Sequence, residues 1–468
     1  MAPAGALAVA RAVARDPTDV LTAPLVRAVF ERLPADQHAR CACVSRGWRA
    51  AVADPVLWTR LDLSGASGAT CRVTDAALRA AAARALGRLE ALDVTGCKDF
   101  HRRALSDVVA ANAASLRELR TLEVEHQADE DHEFGLAHLG TLLAAAPALR
   151  VLEVNVFGTS STVRHVLRND PPFQAVRVRR LTFFWDEVDD VDDVFPAVAA
   201  EIRAHASLKH LTLYCGEVWL GPREVDLALE AARALRGLET LKLGSCWLTP
   251  AAAPALARLL SSTTLKELSV FNEGLRGPRL LDAAAAALLA DALRTNRTLR
   301  LLGLNNVELW DDVEAAIVVV GALLGHASLR VLDFGLNEVE TDAARFAACV
   351  ALGALLAVTP LETLDLSGCN LGAAGLCVLA AALPLNTHLR VLNLSHNNLS
   401  ADFVELQLLP ALRANASLRE ISLSDIVTTP HAADWAKKQQ LVREAVQVVK
   451  EREAVRVAAE AATAAAQE

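Results

Sequence analysis

Aromatic side chains are scarce, at 4% of the chain with a single tyrosine, so each large ring carries information about where a surface is special. A basic excess is missing as well. Lys and Arg number 47 against 56 Asp and Glu, for a net charge of −9; a duplex-binding surface normally has the opposite sign, which makes nucleic acid a poor partner. No apolar run reaches the roughly 18–20 residues that a bilayer demands. The longest, Phe346–Val358 and Ala315–Leu324, read as buried helices, and no membrane span is expected. Nine cysteines are scattered over 468 residues without one CxxC pair. A disulfide framework would be short and cysteine-dense, and a zinc site would need paired ligands, so reduced thiols in a cytoplasmic or nuclear protein are expected.

Catalytic signatures are absent too. The chain has no GxxxxGK[ST], no strand-linked GxGxxG, no HExxH and no GxSxG, so neither a catalytic residue nor a cofactor is assigned. His126, His132 and His138, with Asp129, Glu130 and Asp131 among them, fall at a spacing that shares no single face of a helix or strand, and read as a solvated loop. Asp186–Asp193 lacks the glycine and terminal glutamate of a calcium loop; Val188, Val191 and Val194 suggest a helix start whose carboxylates suit the dipole.

What the chain has in quantity is apolar residues, 53% of the total, enough for a large core. They are arranged in a repeat. The phrase Leu-x-x-Leu-x-Leu/Val-x-x-Asn/Cys is cleanest at Leu361-Glu-Thr-Leu364-Asp-Leu366-Ser-Gly-Cys369 and at Leu389-Arg-Val-Leu392-Asn-Leu394-Ser-His-Asn397. Weaker copies begin at Trp58, Leu89, Leu119, Leu149, Val178, Leu208, Leu238, Leu265, Leu299, Leu329 and Leu418. The spacing is about 30 residues, the mark of a solenoid. Alternating apolar residues such as Leu364 and Leu366 fall on one face of a short strand. One repeat cannot cover that face, so strands must stack in parallel. At the turn, Cys97, Cys246, Cys369, Asn337 and Asn397 are expected to bond neighbouring backbone, which makes these thiols structural. Segments such as Asp282–Thr295 and Gly372–Leu383 are long enough for whole helices. The repeat resembles the ribonuclease-inhibitor-like leucine-rich class. That implies an α/β horseshoe solenoid over residues 61–428, with about 13 repeats, a parallel concave sheet and convex helices.

Residues 19–60 break the period. Leu21, Leu25, Val29, Phe30 and Leu33 lie at helical spacing, with Pro24 near the start and Pro34 after the end. Cys43-Val44-Ser-Arg-Gly-Trp48 and Asp54-Pro55-Val-Leu57-Trp58 follow. The order and spacing resemble an F-box, a small all-α domain, with Thr22 in place of the usual early proline and His38 in place of a leucine. The resemblance implies docking to a Skp-type adaptor and, through it, a cullin–RING ubiquitin ligase. Leu21, Leu25, Val29, Phe30, Leu33 and Pro34 would form the adaptor-facing patch, while Val44, Trp48, Leu57 and Trp58 would form the small core and its junction with the solenoid. The competing expectation is a scaffold or inhibitor outside any ligase, its N-terminal helices being only a solenoid cap.

Residues between and just after the core leucines should face the strand side of a leucine-rich coil. In the middle repeats these include Arg180, Phe184, Trp185, His210, Tyr214, Lys242 and Phe271. Large rings there are expected to anchor a target protein. Acid gathers beyond the strand ends at Asp129–Glu133, Asp186–Asp193, Asp311, Asp312, Glu314, Glu338, Glu340 and Asp342, which favours a target with a basic segment. Residues 1–18 read as a disordered tail. Residues 429–468 read as a capping helix, opened by Pro430 and Asp434 and striped by Trp435, Leu441, Val442, Ala445, Val446 and Val449, with a frayed end past about Ala458.

Overall fold

A strand only three residues long buries too little to stand alone; each one here is fixed by lying in register beside its neighbour. The computed structural model describes residues 23–30, 41–64, 73–95, 97, 99–125, 134–135, 141–157, 177–185, 191–215, 219–261, 264–272, 277–424 and 432–467. The chain divides into two compact units, residues 1–155 with 169–178, and residues 156–168 with 179–468.

The first unit opens with α1 (Ala23–Phe30), α2 (Arg46–Val52) and a 3-10 turn, Pro55–Trp58. Strands β1 (Arg60–Asp62), β2 (Ala91–Asp93), β3 (Glu118–Glu125) and β5 (Val151–Phe157) follow in spatial order, with the short β4 (Phe134–Gly135) beside β3. Helices α3 (Asp75–Ala83) and α4 (Arg102–Ala111) connect the first strands. Leu61, Leu92 and Leu119 align across β1, β2 and β3. That register corrects the reading of the third phrase: it begins at Leu116, not Leu119, because Leu119 pairs with Leu92 and Leu116 is fully buried in the role of Leu89.

In the second unit β6 (Arg177–Trp185), β7 (His210–Cys215), β8 (Thr240–Gly244), β9 (Glu267–Phe271) and β10 (Leu301–Asn305) lie in sequence order. They continue as β11 (Val331–Asp333), β12 (Thr363–Asp365), β13 (Val391–Asn393) and β14 (Glu420–Ser422), with parallel pairing throughout. Apart from β4, the described residues hold thirteen such strands, one for each phrase. The connecting helices are α5 (Val191–Ala204), α6 (Pro222–Ala234), α7 (Ala253–Leu260), α8 (Ala283–Thr295), α9 (Val313–Ala322), α10 (Asp342–Val358) and α11 (Gly372–Ala382). A helical turn at Ala401–Phe403 and a π-helical stretch, Val404–Leu408, then lead into α12 (Leu409–Ala414). Asp282, Asp312 and Thr341 start α8, α9 and α10 by accepting from the third amide of each helix. Part of the expected acidic rim is therefore helix-capping machinery.

The turn ladder forms as expected. Asn337 Oδ1 accepts from the amides of Val307 and Leu309, while its Nδ2 donates to Leu304 O at 2.6 Å. Two coils on, Asn397 does the same, its Oδ1 accepting from the Leu371 amide and its Nδ2 donating to Leu366 O. The Cys369 thiol donates to Phe334 O and the Cys97 thiol to Leu63 O, and the Cys246 thiol donates to Gly244 O. Burial pushes the thiols of Cys369 and Cys349 up, the latter to about 12. Both are inert as nucleophiles.

A second ladder, at the helix-to-strand turn, was not legible. Asn296, Asn386 and Asn415 each donate to a carbonyl of the preceding coil, at 2.6–2.7 Å, and accept amides of their own coil. His326 occupies this position in its repeat. Its Nδ1 accepts from the Leu329 amide at 3.2 Å, which leaves the buried Nε2 without a partner.

Two expectations need correction. The runs Ala315–Leu324 and Phe346–Val358 are not buried helices: Val318, Leu324, Phe346, Val350 and Val358 are exposed, since each helix buries only the stripe that meets the sheet. The C-terminal helix α13 (Ala432–Gln467) is continuous past Ala458 instead of frayed. It seals the last coil as expected, with Leu441, Ala445 and Val449 buried. Its Arg452 donates to the carbonyls of Leu412, Asn415 and Leu418, which end the last turn.

Burial, aided by the charges of Arg297 and Arg330, holds the His326 imidazole below its usual 6.5. The unfolded chain therefore takes up the proton first. The contribution of His326 is fully retained above pH 6.5 and declines as pH drops toward the lower folded value. His326→Asn should raise stability by about 1 kcal/mol at neutral pH by filling the ladder bond, and should flatten the decline on acidification. Urea unfolding midpoints of both proteins between neutral and mildly acidic pH check this; identical pH profiles would contradict it.

Candidate functional site

Helix α1 sorts its apolar residues by period. Leu25 and Val29, four apart, are 55% and 51% exposed, while Val26 and Phe30 face inward. Phe30, expected on the adaptor-facing patch, is only 3% exposed and meets Trp48 edge-on at 5.3 Å. It belongs to the small core because α1 needs one apolar face to hold α2. Val44, expected in that core, is exposed: it lies in the turn before α2, ahead of the helix face that packs. Leu21, Leu33, Pro34, Thr22 and His38 lie outside the described residues.

The remaining motif residues have clear physical tasks. Ser45 caps α2 by accepting from the Trp48 amide at 3.0 Å. Asp54 caps the 3-10 turn through the Val56 amide and pairs with Arg27 of α1 at 2.8 Å. Leu57 and Trp58 are buried as expected. The Trp58 indole donates to Val52 O at 2.8 Å, and Arg84, just after α3, lies 4.3 Å over its ring. The ring thus joins the helical segment to the first coil.

On the strand side of the second unit, Tyr214, Gly244 and Phe271 align across β7, β8 and β9. The two rings stack at 5.8 Å and 12°, closing over the glycine between them. A Cβ at position 244 would lie 2.3 Å from Tyr214 and 2.7 Å from Phe271. Both rings stay partly exposed, so the stack is a flat apolar platform on the sheet. His210 Nδ1 lies 3.1 Å from the buried Thr240 hydroxyl, and Lys242 is half-buried on β8. Backbone pairing places Phe184 beside Tyr214, Trp185 beside Cys215 and Arg180 beside His210; their side chains are outside the described set. Trp219 and Trp247, which the sequence did not single out, meet edge-to-face at 6.3 Å beyond the ends of β7 and β8.

Two polar features flank this platform. At the strand starts Glu239 is held by Lys209 at 2.7 Å and Lys266 at 2.6 Å, which together lower its carboxyl to about 2. On β10–β13 the amides of Asn305 and Asn393 donate to Asp333 and Asp365. Burial first, and then the neighbouring Asp365, push Asp333 up against the bonds it accepts from the Gly335 amide and Asn305. The recurrence of Asp333, Asp365 and Asn393 just after the second core leucine was the available signal. Among the described residues no three His, Cys, Asp or Glu could hold a metal ion; His126, His132, His138 and the acid at 129–133 and 186–190 lie outside them. Asp192 and Asp193 fall in the first turn of α5, as the valine spacing suggested. No helix among the described residues is long and apolar enough to cross a membrane.

A family model described as F-box-like matches residues 24–64, and one described as leucine-rich repeat matches residues 359–380 and 385–402. The chain carries an F-box-like segment and leucine-rich repeats. The F-box-like match takes in most of α1, α2 and the Trp58 turn, and the repeat match takes in β12, β13 and most of α11. No curated protein matches. Among solved structures, the actin-binding site 2 of leiomodin-1 is 16% identical, covering 34% of this chain and 84% of its own, with TM-score 0.25. The TLR13–ssRNA13 complex is 17% identical over 75% of this chain and 41% of its own, with TM-score 0.34. Both scores are too low to bear on function.

Gly244→Ala should force the Tyr214 and Phe271 rings apart and destabilise the fold by ~1–3 kcal/mol, seen as a lower thermal midpoint and an altered near-ultraviolet dichroism of the sole tyrosine. An unchanged signal would mean that the rings do not close over the glycine.

Proposed function

We propose that the chain is the non-catalytic, substrate-recognition subunit of a cullin–RING ubiquitin ligase. Residues 24–64 dock a Skp-type adaptor, and the strand side of the repeats holds a target protein. The observation that carries this reading is the F-box-like match lying on a helix whose outer face presents Leu25 and Val29 to solvent. A helix that served only as a cap would bury its apolar residues against the coil beneath. Phe30 supports the docking helix from within instead of touching the adaptor.

For the target, the Tyr214–Phe271 platform offers a rigid apolar anchor of the kind that dominates protein interfaces. Asp311, Glu338 and Glu340 follow β10 and β11, and their charge favours a basic segment in the target.

Co-purification from cells expressing a Skp-type adaptor separates docking from capping. Wild type should retain the adaptor, and Leu25→Asp with Val29→Asp should lose it while melting as wild type does. Phe30→Asp should instead lower the melting temperature and lose the adaptor through unfolding of the small core. A wild-type chain that brings down no adaptor would leave a scaffold outside any ligase. Tyr214→Ala with Phe271→Ala should weaken target capture at least about tenfold, as expected for a hot spot, and spare the adaptor; equal capture would remove the platform from the interface.

A further inference from the structure

The outer faces of α8, α9, α10 and α11 differ from those of their neighbours. These four helices pack consecutively along the second unit. Their exposed positions carry Leu288, Val318, Phe346 and Val350, with Phe346 51% exposed. No charged residue occurs between positions 346 and 361, nor between 366 and 387. The charges that do occur sit toward helix ends and are partly spent locally, as in Arg294–Asp291 and Arg345–Asp342.

On either side the same surface is ordinary. Arg258 of α7 bonds Glu230 of α6 at 2.8 Å, and beyond α11, Glu405 and Arg413 pair with Lys437 and Glu444 of α13. The apolar area is thus bounded by polar rims. Large exposed apolar patches with such rims mark interaction sites.

Its size and relief point to the occupant. Helices about 10 Å apart and roughly 15–25 Å long give four of them a face of roughly 600–800 Å², close to the ~800 Å² that each partner contributes to a stable complex. The face holds both halves of an interlocking surface. Leu288, Val318, Phe346 and Val350 are its large exposed side chains, while Ala287, Gly321 and Ala354 are small exposed ones on the same helices, and the space where a Gly321 Cβ would stand is open. A two-fold interface requires that one patch supply its own knobs and its own holes. An uncharged meeting surface also suits two chains that each carry −9.

We infer that the outer face of α8–α11 joins two copies of this chain in a two-fold dimer. Sedimentation velocity of the full-length protein tests it. Wild type at micromolar concentration should run at twice the 49.8-kDa chain mass. Val318→Asp with Phe346→Asp should raise the dissociation constant at least about a hundredfold, as loss of a hot spot does. Ala354→Arg, which fills a hole instead of removing a knob, should do the same. Leu406→Asp, exposed outside the patch, and Leu25→Asp with Val29→Asp should remain dimeric, so adaptor docking and self-association are read separately. Circular dichroism identical to wild type shows that the variants are folded. A wild type that stays single over the concentration range overturns the inference, as does a dimer that survives both patch variants. A single-chain wild type that binds another protein through this face overturns the choice of occupant.

Discussion

Every coil of this protein is too small to bury its own leucines, and that single constraint orders the rest. A three-residue strand such as Thr363–Asp365 contributes one in-register leucine and a few ladder bonds. It is stable only because Leu332 precedes it and Leu392 follows. Stability is therefore a nearest-neighbour property, and the ends are its weak points. At one end Trp58 is clamped between Val52 and Arg84. At the other, Leu441 and Val449 cover the last coil while Arg452 gathers three of its loose carbonyls.

Close stacking also creates a polar problem, since each turn carries backbone groups away from water. Two ladders solve it. The ladder after the strand, with Asn337, Asn397 and Cys369, satisfies one bend. The one before the strand, with Asn296, Asn386 and Asn415, satisfies the other. With the backbone satisfied by these buried side chains, the strand face and outer helix face are left free to vary. That freedom is why a tyrosine–phenylalanine platform and an uncharged helix face can sit on one scaffold without cost to its core.

Much of this was legible. The repeat length, the thirteen strands, the ladder roles of Asn337 and Cys369 and the helix over 283–295 follow from period and residue type. So do the burial of Leu57 and Trp58 and the exposure of Leu25 and Val29, which share a helical spacing. The second ladder escaped because Asn296, His326 and Asn386 sit among variable turn residues with no apolar period to mark them.

What the sequence determined by itself was whatever a local period can specify: strand, turn, helix and the stripe each must bury. Tertiary structure decided everything that depends on which neighbour arrives. Leu119 rather than Leu116 aligns with Leu92, because strand register is set by the adjoining coil. Phe30 turns inward because Trp48, eighteen residues on, comes to meet it. Tyr214 and Phe271 touch because the residue between their strands has no side chain to hold them apart. Phe346 is left in solvent because the core beneath α10 is already full of Cys349 and Leu352, a limit on volume that no stretch of sequence states about itself.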